Sequence, residues 1–362
     1  MRIAFYAPLK SPDHPVPSGD RLMARQLRAA LAGRCDVVLE SDLRSYLGDP
    51  DNQTAAAGIA VQAARDRDRI AARWQETAPQ VWVTYHPYYK SPDLIGPPLC
   101  RDFAVPYVTV ESSYSARRNL GVWAESQKSV LQGLTQAAVN ICLTARDRAG
   151  IVAAVPAARL ADLPPFIDVA PNLAARTPHP GPVRLITVAM MRAGDKLASY
   201  ALLAEALAGL AGLDWQLTII GAGPVEHQVR ALFRPVQDRI IWAGLCAPGQ
   251  VAALLGRADV YLWPGQGEAY GLAYLEAQAA GLPVVAQHVA GVPEVVASDT
   301  GLLTPPGDVA AYRAAVARLI TDAALRQGLG QAARDRVLAR HSFPAASARL
   351  NRILANVTGV PA

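Results

Sequence analysis

Short apolar runs alternate with helical patterns along the whole chain, in two successive sets. Apolar runs of this length are typical of strands that are buried on both faces, and their alternation with helices predicts parallel sheets. The predicted strands start at Arg2, Asp36, Val81, Pro106 and Asn140 in the first set, and at Arg184, Gln216, Arg239, Asp259, Pro283 and Gly301 in the second. The pattern predicts an α/β fold with two doubly wound parallel sheets.

Between the two sets lies a segment that is rich in proline and has no apolar periodicity, residues 171–182. This composition is typical of a linker. We therefore predict an N-terminal domain over residues 1–170 and a C-terminal domain over residues 183–342. A last helical stretch, from about Ala345 to Asn356, could pack on either domain, and packing on the first would make residues 343–362 part of it.

Two helical faces can be predicted from apolar spacing. Met23, Leu27, Ala30 and Leu31 share one face of the helix that follows the first strand. Leu350, Ile353 and Leu354 share one face of the last helix. Each face is expected to pack against its domain's core.

Composition and charge narrow the class of protein. The chain has 362 residues, of which 51% are hydrophobic, enough for two buried cores. No long apolar run indicates a signal peptide or a spanning helix, so a cytoplasmic location is expected. The formal charge of +5 and a pI near 9.1 are mild for this length, which argues against a nucleic-acid partner.

The cysteines and one Arg-rich stretch are expected to have ordinary structural roles. The four cysteines show no metal-ligand spacing, so we predict reduced thiols in the cores and no metal site. The Arg-rich helical stretch Ala63–Trp74 is expected to be a solvated face. The alternative is a patch for anionic lipid head groups, with peripheral contact at the inner face of the membrane, or for an acidic acceptor.

The chemistry-bearing residues follow predicted strands. In an open parallel sheet, ligands bind beyond the carboxyl ends of the strands, where helix N-termini hold phosphate. In the second set, Glu268 lies in the loop after a strand and Glu276 lies about a turn into the next helix. A carboxylate accepts from two vicinal hydroxyls, which suits Glu276 for a ribose diol and Glu268 for a sugar. The backbone amides between the two acids would face the ligand, from Ala269 through Tyr270 and Gly271 to Leu272.

Cations follow another strand of the second set. Arg192 and Lys196 come after the strand that starts at Arg184, and together they offer a guanidinium fork and a point charge for a diphosphate. The turn Gly221–Pro224 starts like a dinucleotide fingerprint but lacks its third glycine, so a nicotinamide site is rejected and a phosphate-side turn stays open. Strings typical of serine hydrolases, zincins and P-loop proteins are absent from the sequence.

The first set carries its own candidates. Gly19 follows the first strand and would let the backbone approach a substrate, or Ser18 or Asp20 merely caps the helix. His86 and Glu111 also follow strands at the same sheet edge. We place Gly19 and His86 on the acceptor side, and Glu111 is the better candidate for a catalytic group.

The second half is similar to glycosyltransferase family four, the retaining enzymes with the GT-B fold. The resemblance covers roughly Arg184–Phe343 and is looser in the first half, where the Gly19 turn and two other segments carry it. The matching segments are Ile219–Pro224, Ala258–Ala286 with its E-x7-E pair, Ala290–Val296, Thr300–Asp308 and Leu329–Val337, and in the first half Tyr85–Tyr89 and Leu163–Pro171.

The resemblance implies two Rossmann-like domains that face a cleft, and a UDP- or GDP-sugar as donor. It assigns Glu276 to the nucleotide ribose, Glu268 to the donor sugar, and the diphosphate to the basic pair, with Lys196 the firmer member because the Arg-to-Lys interval is short. It implies transfer to a saccharide, lipid-linked or small-molecule acceptor, with no metal and no other cofactor. The chain departs from the family at Glu111, where many members have a histidine.

Two other functions stay open at this stage. A nucleotide-sugar epimerase of the same fold would need acid and base groups in the cleft, which Glu111 could supply, and no acceptor. A non-catalytic nucleotide-sugar-binding subunit would be consistent with the altered first half and with the Met190–Met191 pair.

Overall fold

The computed structural model describes residues 1–16, 18–33, 35–173 and 180–359. They form two compact units: the first comprises Met1–Pro164 with the C-terminal segment from Ala346, and the second is Pro165–Ala345. The first domain thus ends at Pro164 and not at residue 170 as predicted, and the last helix belongs to it. The predicted linker overlaps a 3-10 turn at Ala170–Asn172, and residues 174–179 lie outside the described residues.

The first unit contains a six-stranded parallel sheet with the strand order β2-β1-β3-β4-β5-β6. Its strands are β1 Arg2–Tyr6, β2 Asp36–Ser41, β3 Val81–Tyr85, β4 Tyr107–Val110, β5 Val139–Cys142 and β6 Leu160–Asp162. Its helices are α1 Gly19–Ala32, α2 Gln53–Trp74, α3 Gly96–Asp102, α4 Gly121–Gln136 and α5 Ala145–Ala154, together with the last helix of the chain, Phe343–Thr358.

The second unit contains a six-stranded parallel sheet with the order β12-β11-β10-β7-β8-β9. Its strands are β7 Val183–Val188, β8 Trp215–Ile220, β9 Ile240–Gly244, β10 Val260–Leu262, β11 Val284–Gln287 and β12 Gly301–Thr304. Its helices are α6 Asp195–Ala208, α7 Glu226–Leu232, α8 Pro248–Arg257, α9 Leu272–Ala279, α10 Val292–Val295, α11 Val309–Thr321 and α12 Ala323–Arg340, so that the last helix of the chain is α13.

The predicted apolar faces lie in the core with one exception. Met23, Leu27, Ala30 and Leu31 of α1 are fully buried. In α13, Leu350 and Leu354 are buried, whereas Ile353 is only partly buried. Hydrophobic burial of these faces fixes each helix against the rest of its unit.

Two expectations about burial were wrong. Strand β9 is an edge strand, so only part of it is covered and Ile241 is 44% exposed. All four cysteines are free thiols, but only Cys100 and Cys142 lie in a core, while Cys35 and Cys246 are partly exposed.

Each sheet has one point where its order reverses. In the first unit, β1 pairs with both β2 and β3. In the second unit, β7 pairs with both β8 and β10. The connections that leave β7 and β10 therefore diverge to opposite faces of the sheet and leave a crevice between their carboxyl ends, which is where open α/β sheets bind ligands.

Candidate functional site

The crevice of the second unit lies between two loops that each lead into a helix. The loop after β7 enters α6 at Asp195, and the loop after β10 enters α9 at Leu272. Parallel pairing of Leu185 with Val260 and of Ile186 with Tyr261 aligns the two strand ends. Two helix N-termini, each with unpaired amide donors, therefore face the same edge of the sheet.

An ion pair spans this crevice. The Nζ atom of Lys196, in the first turn of α6, contacts Oε1 of Glu268, in the loop after β10. The indole Nε1 of Trp263 donates to the same carboxylate oxygen at 3.0 Å, and the Lys196 ammonium lies 5.4 Å from the centroid of the Trp263 ring. One carboxylate oxygen thus accepts from both an ammonium and an indole, an arrangement that sequence spacing does not predict.

Trp263 is a site residue that sequence reasoning missed, because it follows a buried apolar strand. Its ring is 2% exposed, as expected for a core residue. Its polar edge nevertheless orients Glu268, and its face orients Lys196. Only the fold reveals both contacts, since the sequence pattern Asp259–Gly265 indicates a strand and nothing more.

Glycines shape the loop that carries Glu268. Gly265, Gly267 and Gly271 have left-handed φ angles of 76°, 68° and 78°. A Cβ atom on Gly267 would lie 2.0 Å from Oδ2 of Asp195, and one on Gly271 would lie 2.6 Å from the ring of Tyr274. Glycine permits these backbone conformations, and the close approach of a ligand at Gly271 stays a prediction.

The backbone between the two acids starts α9. Gly271 is the N-cap residue, and the helix starts at Leu272. Ala269 is exposed and its carbonyl accepts from the Gly291 amide at 2.7 Å, which ties this loop to the loop after β11. Tyr270 is buried.

Glu276 is a partly buried carboxyl on α9, and the structure gives its side chain no hydrogen-bond partner within the described residues. Burial raises its pKa to about 7. Burial, and then the carboxylates of Glu268 and Glu276, raise the pKa of Tyr261, so both acids lie near that hydroxyl. Both carboxylates are therefore close enough to act on the Tyr261 hydroxyl, Glu268 from the loop after β10 and Glu276 from α9.

The predicted basic pair is not brought together in the same way. Lys196 contacts Glu268, but the side chain of Arg192 is exposed and has no ion pair among residues 180–359. Met190 is 43% exposed, whereas Met191 is buried at 1%. Of the two cations, only Lys196 is held at the crevice.

The turn Gly221–Pro224 has a packing role. Cβ atoms on Gly221 and Gly223 would lie 1.9 Å and 2.2 Å from the carbonyl oxygens of Ala189 and Met191. These glycines therefore let the turn after β8 lie directly against the loop after β7. This contact explains both glycines without a phosphate.

In the first unit, the predicted residues meet at its own crevice. His86, directly after β3, lies with Nδ1 3.3 Å from Oδ1 of Asp20, which follows β1. His86 and Glu111 both have left-handed backbones, with φ angles of 58° and 57°. Such conformations cost non-glycine residues on the order of 1–3 kcal/mol and are concentrated at functional sites. Pairing of Tyr85 with Val110 makes the two residues neighbours across the sheet edge.

The charges of this cluster are coupled. Burial alone would lower the pKa of His86, but the carboxylates of Glu111, Asp20 and Asp147 raise it to about 9. Burial raises the pKa of Glu111 to about 7, against the opposing effect of His86. Near neutral pH, His86 is a cation and Glu111 is partly protonated.

The two alternatives for the first turn of α1 are partly resolved. Oγ of Ser18 accepts from the Arg21 amide at 3.2 Å, so Ser18 is the N-cap, as one alternative predicted. A Cβ atom on Gly19 would meet nothing within 4 Å. Its approach to a substrate stays a prediction.

The Arg-rich stretch of α2 is partly neutralised. Arg69 pairs with Asp66 at 3.2 Å, and Arg73 contacts Glu40. Among the described residues, no helix is long and apolar enough to cross a membrane, and no group of three or more His, Cys, Asp or Glu side chains is arranged to hold a metal ion.

Comparison with known proteins relates part of the sequence to a family and the fold to solved structures. Residues 182–322 match the family model described as Glycosyl transferases group 1. The fold is similar to that of sucrose-phosphate synthase from Thermosynechococcus elongatus, with a TM-score of 0.76 over 99% of both chains at 19% identity. It is also similar to that of Anabaena Alr3699/HepE in complex with UDP, with a TM-score of 0.74 over 98% of this chain and 100% of that chain at 15% identity. The fold is that of GT-B glycosyltransferases.

Curated relatives match part of this chain. A GDP-mannose-dependent monoacylated alpha-(1-6)-phosphatidylinositol monomannoside mannosyltransferase of Corynebacterium glutamicum is 34% identical over 148 residues, 39% of this chain and 39% of that protein. N-acetyl-alpha-D-glucosaminyl L-malate synthase of Bacillus anthracis is 33% identical over 128 residues, 34% of this chain and 33% of that protein. The matched segment spans less than half of either relative. The second unit carries the sequence signature of the group 1 glycosyltransferases.

Proposed function

We propose that the protein is a retaining glycosyltransferase that transfers a sugar from a UDP- or GDP-sugar to a saccharide, lipid-linked or small-molecule acceptor. The observation that carries the proposal is the Lys196–Glu268 pair at the crevice between β7 and β10, with Glu276 on the adjacent helix. The GDP-mannose dependence named for one relative and the UDP bound in one similar structure support a nucleotide-sugar donor.

In this proposal, each part of the nucleotide sugar is bound by a particular group of the protein. The Lys196 ammonium and the N-termini of α6 and α9 neutralise the diphosphate. Glu276 accepts from the ribose diol, and Glu268 accepts from hydroxyls of the transferred sugar. When the donor binds, its diphosphate would accept hydrogen bonds from the Lys196 ammonium. The Glu268 carboxylate would then be free to accept from hydroxyls of the sugar.

The proposed reaction exchanges one bond at the anomeric carbon for another on the same face. The bond to the diphosphate oxygen breaks, the acceptor oxygen bonds to the anomeric carbon, and the acceptor proton passes to the departing phosphate oxygen. Negative charge grows on that oxygen, and Lys196 with the helix N-termini stabilises it. A metal ion is not required in this scheme, since these groups supply the positive charge.

The experiment is a transfer assay with UDP- and GDP-sugars and a panel of saccharide and lipid-linked acceptors. We expect release of the nucleoside diphosphate, a product with the donor's anomeric configuration by NMR, and full activity with EDTA. Inversion of the anomeric centre would refute the retaining mechanism. Donor binding without transfer to any acceptor would indicate a non-catalytic binding subunit.

The neighbouring His86 and Glu111 favour one alternative function, a nucleotide-sugar epimerase. Their pKa values of about 9 and about 7 suit an acid and a base near neutral pH. Formation of an epimeric nucleotide sugar without acceptor would support this alternative. Strict dependence on an acceptor would refute it.

A further inference from the structure

Four rings follow one another at the sheet edge of the first unit. The ring centroids of His86 and Tyr88 are 5.0 Å apart, those of Tyr88 and Tyr89 are 5.2 Å apart, and those of Tyr89 and Trp123 are 5.0 Å apart. The row starts at the crevice residue His86 and runs away from it. Its Tyr rings are partly exposed, whereas Trp123 is buried and its Nε1 donates to the Leu47 carbonyl at 2.8 Å.

Cations lie on the far half of the row. The Lys90 ammonium is 5.8 Å from the Tyr89 centroid and 5.1 Å from that of Trp123, and the Arg118 guanidinium is 5.5 Å from Tyr89. We call these six residues the aromatic–cation row: His86, Tyr88, Tyr89, Lys90, Arg118 and Trp123. Such stacking restricts the cations and lets their donors face outward.

These cations have no acidic partner in the part of the chain that the structure describes. Lys90 and Arg118 form no ion pair there, and neither does the adjacent, exposed Arg117. In α2 of the same unit, by contrast, Arg69 and Arg73 are paired with acids. The far half of the row is therefore a concentration of unneutralised positive charge beside partly exposed rings.

The opposite end of the row carries acids. Asp20 lies 3.3 Å from His86, and Glu111 is its neighbour across the sheet edge. Carboxylates accept from sugar hydroxyls, ring faces pack on the apolar side of a sugar, and an Arg fork matches phosphate or carboxylate oxygens. The row thus has a hydroxyl-binding end, an apolar middle and an anion-binding end.

We propose that the aromatic–cation row binds the acceptor, and that the acceptor is an anionic saccharide, which carries a phosphate or a carboxylate. The proposal rests on the proposed function, because it names the second substrate of that reaction. It also moves the anion site away from α2, where the sequence alone placed the alternative of an acidic acceptor.

The test compares binding of glucose, glucose 6-phosphate and glucuronate to the full chain by calorimetry. We expect an anionic sugar to bind roughly tenfold more tightly than glucose, and the double variant Arg117→Gln/Arg118→Gln to lose that preference. The matched control is Arg65→Gln/Arg67→Gln, which removes two solvent-accessible charges from α2 of the same unit and should preserve the preference. Phosphatidylcholine vesicles with and without phosphatidylinositol distinguish a lipid-borne anionic saccharide from a free one.

Substitutions of Tyr89 test whether its ring contributes to sugar binding. Tyr89→Phe should bind within about twofold of wild type, because the ring face is kept, whereas Tyr89→Ala should weaken all sugars roughly tenfold. Nucleotide-sugar binding is measured in each sample, so absence of donor binding by the wild type would refute the proposed function separately. Equal affinity for glucose and both anionic sugars, with no vesicle preference, would overturn the acceptor proposal, as would an equal loss in the α2 control.

Discussion

Lys196 and Glu268 neutralise each other in the free protein, and Trp263 fixes the geometry of their contact. Glu276 has no such partner among the described residues and is kept partly neutral by burial. The two acids of the E-x7-E pair therefore differ in their surroundings before a donor arrives. Substitution of Lys196 and titration of Glu276 should therefore affect donor binding in different ways.

Replacement of Lys196 by alanine should weaken nucleotide-sugar binding roughly 10- to 100-fold, since one charge-assisted contact to the diphosphate contributes about 1.5–3 kcal/mol. Lys196→Arg should recover part of the loss. The control is Lys128→Ala, which removes an exposed lysine of α4 that pairs with Glu125. Calorimetric affinity equal to wild type in Lys196→Ala would contradict the assigned role.

Donor binding should depend on pH through Glu276. The diol donates well only to the ionised carboxylate, and burial raises the pKa of Glu276 to about 7. Affinity should thus be constant at high pH and fall roughly tenfold per pH unit below pH 7. Glu276→Gln should be weak and show no such dependence, and a pH-independent affinity in the wild type would refute this role.

At the scale of elements, the sequence predicted the strands that have apolar runs and missed β6. That strand is three residues long, Leu160–Asp162, and none of them is fully buried, so no apolar run marks it. The sequence pattern placed Glu276 about a turn into a helix, and α9 starts at Leu272. The Trp263 contacts and the isolation of Arg192 depend on how the loops after β7 and β10 meet, which spacing along the chain does not encode.

The loop that starts α9 should tolerate no side chain at Gly271. Its φ is 78°, and a Cβ atom there would lie 2.6 Å from the Tyr274 ring, so Gly271→Ala is expected to be strained by about 1–3 kcal/mol. Both the free energy of unfolding and donor affinity should fall. Gly212→Ala, where a Cβ meets nothing within 4 Å, should leave both within about 1 kcal/mol of wild type. Unchanged donor affinity in Gly271→Ala would contradict the importance of this loop geometry.

At the scale of the whole molecule, the chain crosses between the units near Pro164 and again near Ala345. On the side of the second unit, the two segments are joined. The Ile167 amide donates to the His341 carbonyl at 2.9 Å, and Nδ1 of His341 lies 2.7 Å from the Pro165 carbonyl oxygen. His341 thus contacts the first of these segments through both its backbone and its side chain.

Acid should destabilise the protein through His341. Burial lowers its pKa to about 4, below the value of about 6.5 in the unfolded chain. The unfolded state therefore binds more protons between these values, so stability is full above pH 6.5 and falls as the pH drops toward 4, by on the order of 3 kcal/mol. In urea unfolding at pH 7, the His341→Gln variant should have a lower free energy of unfolding than the wild type. Between pH 6.5 and pH 4, that free energy should depend less on pH in the variant than in the wild type. Parallel pH profiles for the two proteins would contradict this account.

The most direct test of the central claim is equilibrium binding of a panel of UDP- and GDP-sugars to the wild type and to Glu276→Gln, measured by calorimetry at pH 8. We predict that at least one nucleotide sugar binds the wild type and that Glu276→Gln weakens it roughly tenfold or more. Absence of binding across the panel, or equal affinity in the two proteins, would contradict a nucleotide-sugar site at the edge of β7 and β10.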